Sequence, residues 1–294
     1  MPDADDLKRE KKGYYTDIPF QKGTFHVRGM DNADWGMKDR LSRIFNPLTG
    51  RTVMLAFDHG YIMGSTSGLE RMDLAIPPLV EDVDCLMATR GALRSCIPPT
   101  FNKAIALRCS AGSSVLDDDM SCEDIAVNIE DAIRMNASCM AIQTFIGAPG
   151  QKSSIKNLCD TIDAGNRYSI PTLGVVAVGK QMERTPRFFL LATRMLAEFG
   201  AHIVKTYYCE DFSNIVAACP VPIVVAGGKK LPERDALEMA YRAVSEGAAG
   251  VDMGRNIFQA DDPKAMVRAI RRVVHENETG ENAYSFYNEI KRRA

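Results

Sequence analysis

One lysine stands out among the residues whose types and spacing could support covalent chemistry. Lys205 follows His202-Ile203-Val204 and precedes Thr206-Tyr207-Tyr208, inside a stretch that predicts a buried strand. Burial disfavours an ammonium group, and the neutral amine is the nucleophile that carbonyl compounds trap as a Schiff base. A lysine at a strand end can also extend its ammonium to solvent. The position alone leaves both roles open.

Two glycine-containing segments follow, at the ends of the next two apolar stretches. They read Ala226-Gly227-Gly228-Lys229-Lys230 and Met253-Gly254-Arg255-Asn256. Glycines let backbone amides approach an oxyanion closely, and an arginine adds a bidentate contact. We therefore predict an anion site at Gly227, Gly228, Gly254 and Arg255.

A further candidate is the dipeptide Asp58-His59, which ends the apolar stretch 52–57. A carboxylate beside an imidazole can act as an acid/base pair or bind a substrate hydroxyl. The alternative is a structural turn in which Asp58 accepts hydrogen bonds from backbone amides. The dipeptide is compatible with both roles.

The elements that must position these residues follow one pattern, in which a short apolar run precedes a polar loop and a longer amphipathic segment. Eight such runs occur: 52–57, 85–90, 104–109, 139–146, 172–178, 202–207, 222–227 and 249–254. Nearly continuous apolar runs are typical of parallel strands buried on both faces. We predict an α/β fold, a (β/α)8 TIM barrel, with the active site at the carboxyl ends of its strands. The loops after strands seven and eight of such barrels commonly bind phosphate.

The main alternative is an open doubly wound sheet, which normally carries a glycine-rich fingerprint after its first strand; none is present here. Residues 1–34 lack periodicity and predict an extended arm, and residues 35–294 predict a single barrel. Asp34–Phe45 predicts a helix before the barrel, and 282–294 a helix after it. The predicted crossover helices are Leu79–Val83, Ser121–Met135, Ile155–Gly165, Arg187–Phe199, Asp211–Ala218, Pro232–Glu246 and Pro263–His275.

The composition is that of a globular chain with little electrostatic preference. Of its 294 residues 46% are hydrophobic and 25% charged, and 36 basic residues nearly balance 38 acidic ones. This balance predicts no general attraction to nucleic acid or membrane. Neither a signal-peptide core nor about 18 consecutive apolar residues occurs, which predicts a cytoplasmic protein. Eight singly scattered cysteines predict reduced thiols and no zinc site.

Other polar residues lie near strand ends. Arg90, Arg94 and Arg108 could bind a second anion or form salt bridges with acids such as Asp117 to Asp119. We predict salt bridges. Gln143, Thr144 and Lys180 could line the pocket. Cys209 has no catalytic partner in the sequence near it, so we interpret it as structural.

Five long segments resemble a known family: DWGMKDRLSRIFNPLTG, MLAFDHGY, IVKTYY, VPIVVAGGKKLPER and GVDMGRNIFQ. They are similar to the DeoC/FbaB branch of class I aldolases, and more closely to the thiolases in that branch that process phosphorylated autoinducer-2. The resemblance extends from about Asp34 to the C-terminus.

The resemblance implies transfer of an acetyl group from a phosphorylated dione to coenzyme A as co-substrate, without a metal or a permanently bound cofactor. By motif position, Lys205 is the Schiff-base lysine, and Asp58 and His59 handle the substrate. The implied phosphate site comprises Gly227, Gly228, Gly254 and Arg255. Because relatives assemble as stacked rings, a homodecamer is also implied.

Two positions depart from the family pattern. Related fructose-bisphosphate aldolases carry an aromatic pair near the end of strand five, where this chain has Val175-Val176-Ala177, which argues against a sugar-bisphosphate aldolase and leaves the proton-transfer group unassigned. Phe145 stands where the thiolases have a tyrosine. The alternatives are a class I aldolase that acts on a phosphorylated ketose without coenzyme A, and a phosphosugar-binding protein without turnover.

Overall fold

Eight parallel strands close into a barrel in the computed structural model, which describes residues 13, 15–19, 23, 25–178 and 183–292. The strands are β1 Thr52–Ala56, β2 Cys85–Ala88, β3 Ala104–Arg108, β4 Cys139–Thr144, β5 Thr172–Val176, β6 Ile203–Tyr207, β7 Ile223–Ala226 and β8 Gly250–Met253. Each pairs with its neighbours in chain order, and β8 pairs with β1. The predicted (β/α)8 barrel is confirmed. An open doubly wound sheet would have two edge strands, whereas here the first and last strands pair with each other.

Helices surround this ring. They are α1 Trp35–Ile44, α2 Gly60–Met63, α3 Met72–Ala75, α4 Arg90–Cys96, α5 Ile129–Arg134, α6 Gln151–Arg167, α7 Pro186–Glu198, α8 Phe212–Ala218, α9 Glu233–Ser245, α10 Arg255–Phe258, α11 Pro263–Glu276 and α12 Gly280–Lys291. Within the described residues, 3-10 turns lie at Pro77–Asp82 and Pro99–Phe101. No helix among the described residues is long and apolar enough to cross a bilayer.

Successive side chains of each strand alternate between two cores. On β6, Ile203 packs inside the barrel and Val204 packs against the outer helices. Lys205 is therefore the next inward residue, since side chains alternate with a period of two. The same alternation turns Arg108 of β3 and Asp252 of β8 inward. Strand parity thus brings three charged side chains into one interior.

The amino end of the barrel is closed by α1. Asp34 caps this helix by accepting a hydrogen bond from the backbone N–H of Met37 at 2.9 Å. Met37, Leu41 and Ile44 are buried and pack with inward residues of the strands. The helix predicted before the barrel is confirmed, and it leaves only the carboxyl end of the barrel open.

One predicted crossover helix is wrong over most of its length. The segment predicted as helical from Ser121 begins α5 only at Ile129, after a short antiparallel ribbon pairs Ser110–Ala111 with Asp124–Ile125. The backbone N–H groups of residues 126 and 127 both donate to the carbonyl of Cys109, which holds the segment across the barrel mouth. Half of the predicted arm, residues 1–12, 14, 20–22 and 24, lies outside the described residues, and so does Lys180.

We expect Leu41→Ala to lower the free energy of unfolding by about 2–5 kcal/mol, because Leu41 is fully buried and truncation leaves a cavity under the barrel. Urea unfolding measures this change. Leu48→Ala is the matched control: Leu48 is 94% exposed, and its truncation should shift the value by less than about 0.5 kcal/mol. Equal losses in the two variants would contradict the packing role of α1.

Candidate active site

Lys205 lies in the barrel interior beside a carboxylate. Its Nζ is 2.8 Å from Oδ2 of Asp252, and it also donates to Sδ of Met87 at 3.3 Å. The side chains of Lys205 and Asp252 are 10% and 0% exposed. Burial raises the pKa of Asp252, against the opposing effect of Lys205. The Lys205 side chain does not extend to solvent, so the alternative of a strand-end lysine with a solvent-exposed ammonium is wrong.

A second buried ion pair joins Asp58 to Arg108. Nε and Nη2 of Arg108 each lie 2.7 Å from Oδ2 of Asp58, and both side chains are 6% exposed. Burial alone would raise the pKa of Asp58, but the charges of Arg108 and Lys205 hold it below its ordinary value. Asp58 is thus an ionised carboxylate held by a guanidinium, in place of the backbone-bonded turn considered above.

His59 lies at the wall of the same cavity. Its ring stacks on Phe258 with 5.5 Å between centroids, and Nε2 lies 3.3 Å from Oγ1 of Thr66. Burial lowers the pKa of His59, Asp58 opposes this, and Arg255 lowers it further. A neutral imidazole can both donate and accept a proton, which suits a substrate-handling role.

A polar network beside the cavity centres on Glu123. Its Oε1 accepts a hydrogen bond from the hydroxyl of Tyr61 at 2.7 Å, and its Oε2 accepts one from Oγ of Ser110 at 2.7 Å. Gln143 Nε2 lies 3.4 Å from Oε1. Burial raises the pKa of Tyr61, so its hydroxyl stays protonated and can donate. The network fixes the orientation of Tyr61, which lines the cavity.

The two glycine segments lie side by side because Asn256 connects them. Nδ2 of this fully buried residue donates to the carbonyl of Gly227 at 2.7 Å, and Oδ1 accepts from the backbone N–H of Leu231 at 2.7 Å. Gly228 has a φ of +68°, a conformation that favours glycine. A Cβ on Gly254 would lie 2.2 Å from the carbonyl oxygen of Ala56. Both glycines are therefore required by the backbone path.

A cavity of about 150 Å³ at the carboxyl end of the barrel unites these groups. Its lining includes every predicted site residue: Lys205, Asp58, His59, Gly227, Gly228, Gly254 and Arg255. Gln143 lines it as predicted, whereas buried Thr144 donates to the carbonyl of Val175 at 3.0 Å. Arg184 lies at the rim, with its guanidinium 4.2 Å from the ring centroid of Tyr207.

The salt bridges predicted for Arg108 and Arg90 are present, but with other acids than the suggested Asp117 to Asp119. Arg108 pairs with Asp58, and Arg90 pairs with Asp131 at 2.6 Å. Burial raises the pKa of Cys209 to about 11, consistent with an unreactive thiol. Sequence reasoning missed Asp252, Tyr61 and Glu123. Asp252 carried the same signal as Lys205, a charge within an apolar strand, whereas Glu123 gave none because a loop brings it to the site.

The comparisons place this barrel among known proteins. The model of the DeoC/LacD family aldolases matches residues 52–260, the range that contains every predicted site residue. The chain belongs to this family. The 3-hydroxy-5-phosphonooxypentane-2,4-dione thiolase of Escherichia coli K12 is 54% identical over 288 residues, 98% of each chain. The thiolase of the same name from Klebsiella pneumoniae is 53% identical over 292 residues, 99% of this chain and 98% of the relative.

Solved structures support the fold alone. An archaeal fructose 1,6-bisphosphate aldolase superposes with a TM-score of 0.74 at 24% identity, over 82% of this chain and 99% of the other. A fructose-bisphosphate aldolase from Slackia heliotrinireducens gives a TM-score of 0.77 at 16% identity, over 91% and 94% of the two chains. The resemblance stated from the sequence motifs is confirmed.

We expect Asn256→Ala to lower the free energy of unfolding by about 2–4 kcal/mol, because it leaves the carbonyl of Gly227 and the N–H of Leu231 without their partner. Chemical denaturation tests this, and hydrogen exchange at Leu231 reports the loop itself. Asn288→Ala is the control, since the side chain of Asn288 donates to the carbonyl of Tyr284 within an outer helix and contacts neither glycine segment. Unchanged protection at Leu231 would show that Asn256 does not hold the loop.

Proposed function

We propose that this protein is a thiolase that cleaves 3-hydroxy-5-phosphonooxypentane-2,4-dione with coenzyme A, giving acetyl-CoA and dihydroxyacetone phosphate. The observation that carries the proposal is the amine of Lys205, which lines a polar cavity at the barrel mouth and projects from a buried strand. Thiolases of this name are about as long as this chain and share 53% and 54% of its residues.

The phosphate of the substrate is assigned to the end of the cavity formed by the two glycine segments. The backbone at Gly227, Gly228 and Gly254 approaches the cavity without intervening Cβ atoms. Arg255 is half-buried there and has no ion pair among the described residues, so its guanidinium is available for an oxyanion. Binding energy from the phosphate, remote from the reacting carbons, orients the dione.

Lys205 attacks the C4 ketone, which is adjacent to the phosphorylated carbon. Loss of water gives an iminium, which is an electron sink for the bond between C2 and C3. The thiol of coenzyme A then adds to the C2 carbonyl and loses its proton. When the resulting alkoxide collapses, the C2–C3 bond breaks and acetyl-CoA leaves. The electron pair of the broken C2–C3 bond forms the double bond of an enamine between C3 and C4.

The remaining steps restore the lysine. Protonation of C3, with the equivalent of the proton that the thiol lost, converts the enamine to the iminium of dihydroxyacetone phosphate. Water then hydrolyses it, balancing the water released earlier. Asp58, held by Arg108, and neutral His59 line the cavity and are assigned to the substrate hydroxyl and carbonyl groups. The homodecamer and the cytoplasmic location stay predictions of the sequence.

We expect borohydride reduction in the presence of dihydroxyacetone phosphate to leave a covalent adduct on Lys205, found by mass spectrometry of the digested protein. Lys205→Ala should abolish it, because only an iminium is reduced to a stable amine. Lys156→Ala, at an exposed lysine of α6, is the control and should keep the adduct. Unphosphorylated dihydroxyacetone should give far less adduct if the glycine segments bind phosphate.

Coenzyme A dependence separates the thiolase from its alternatives. With the phosphorylated dione as substrate, we expect acetyl-CoA to form and no cleavage without the thiol, measured by chromatography of the products. Cleavage without coenzyme A would identify a simple class I aldolase. Binding of dihydroxyacetone phosphate without any adduct would instead identify a binding protein.

A further inference from the structure

Three carboxylates among the described residues, the buried Asp58 and Asp252 and the partly buried Asp84, differ in what holds their charge. Asp58 is paired with two nitrogens of Arg108, and Asp84 accepts from the backbone N–H of Val53 at 2.7 Å and lies 2.8 Å from Nε2 of His275. The pKa of each carboxyl is lowered despite burial, because these partners favour the charged form. Such carboxylates are held ionised by their surroundings.

Asp252 has no comparable support. It is fully buried, and neither of its oxygens accepts a well-aligned hydrogen bond from the described residues. Its close partner within the described part of the chain is the ammonium of Lys205, at 2.8 Å. The flanking strand partners in register are Ala226 of β7 and Met54 of β1, neither of which carries a side-chain donor.

This arrangement differs from a structural ion pair. A buried carboxylate without other donors gains little from remaining charged, so transfer of a proton from the neighbouring ammonium costs less than it would for Asp58 or Asp84. The other titratable groups whose charges reach Asp252 are Asp58, Arg108, Cys85 and Cys139. Of these groups the two thiols are buried and neutral, so the electrostatic field at Asp252 comes from the charges of Lys205, Asp58 and Arg108.

The geometry points to Asp252 as the proton shuttle of the Schiff-base step, an assignment that rests on the proposed function. Asp252 takes one proton from the Lys205 ammonium, and the neutral amine adds to the ketone. Proton transfer within the adduct gives the neutral carbinolamine. Asp252 then returns its proton to the departing hydroxyl, which leaves as water.

The proton count closes. The three hydrogens of the ammonium end as one on the iminium nitrogen and two in the water molecule. Asp252 finishes ionised beside the positive iminium, as it began beside the ammonium. Hydrolysis of the product iminium uses the same carboxyl in reverse order, so one residue serves both the first and the last covalent step.

The test measures how fast the iminium forms. Asp252→Asn keeps the size and shape of the side chain and loses its ability to take up a proton. With dihydroxyacetone phosphate and borohydride, we expect adduct formation on Lys205 to slow by about 100-fold or more, the range for loss of a general acid–base group. Binding of glycerol 3-phosphate, which has no carbonyl, should change less than about threefold by calorimetry, because the phosphate contacts are intact.

Chemical rescue separates a shuttle from a structural role. Asp252→Ala opens space in the cavity wall that Asp252 lines. Added formate should increase the rate of adduct formation by this variant at least about tenfold, because it supplies a carboxyl group at that place. Asp84→Asn, which removes a carboxylate near the opposite end of the barrel, should leave the rate unchanged and show no response to formate. The free energy of unfolding of each variant is measured alongside.

The outcomes are distinct. An Asn variant that forms the adduct at the wild-type rate, or a slow Ala variant that formate does not accelerate, would overturn the shuttle while the Schiff-base reaction stands. A wild-type protein that forms no adduct would instead overturn the proposed function.

Discussion

Compensation of charge inside the barrel is the constraint on which the site depends. Two cations and two carboxylates, in the pairs Lys205–Asp252 and Asp58–Arg108, lie at the carboxyl end of a barrel whose interior toward α1 is apolar. Removing one member of a buried pair costs about 3–5 kcal/mol, because the other charge is left uncompensated. The pairs therefore stabilise the fold as well as supplying chemical groups, and within each pair one side chain holds the other at the open end of the barrel.

The two pairs are not equivalent. Arg108 satisfies Asp58 with two nitrogens, so that carboxylate is fixed in its charge and position. Among the described residues, Asp252 has the ammonium of Lys205 as its close partner and no aligned hydrogen-bond donor. In the proposed reaction the Asp58–Arg108 pair keeps its charges, and the Lys205–Asp252 pair redistributes a proton. This division gives a physical reason for two ion pairs in a cavity of about 150 Å³.

The rest of the fold serves this end of the barrel. Helix α1 closes the opposite end with Leu41 and Ile44, and Asn256 joins the two glycine segments into one surface. The segment before α5 departs from its predicted helix and carries Glu123 across the mouth, where it orients Tyr61. Local helix preference is overridden there because the backbone and the carboxylate both find partners in the site.

The sequence by itself determined the barrel and the carboxyl ends of its strands, because apolar periodicity and strand ends are local features. It also determined seven residues of the cavity: Lys205, Asp58, His59, Gly227, Gly228, Gly254 and Arg255. Only the tertiary structure decided which charges meet. Asp117 to Asp119 were the suggested partners of Arg108, yet its actual partner, Asp58, lies 50 residues earlier, just after β1. Asp252 reaches Lys205 through strand parity and register, with β7 between them. Such contacts depend on barrel closure, which no single segment encodes.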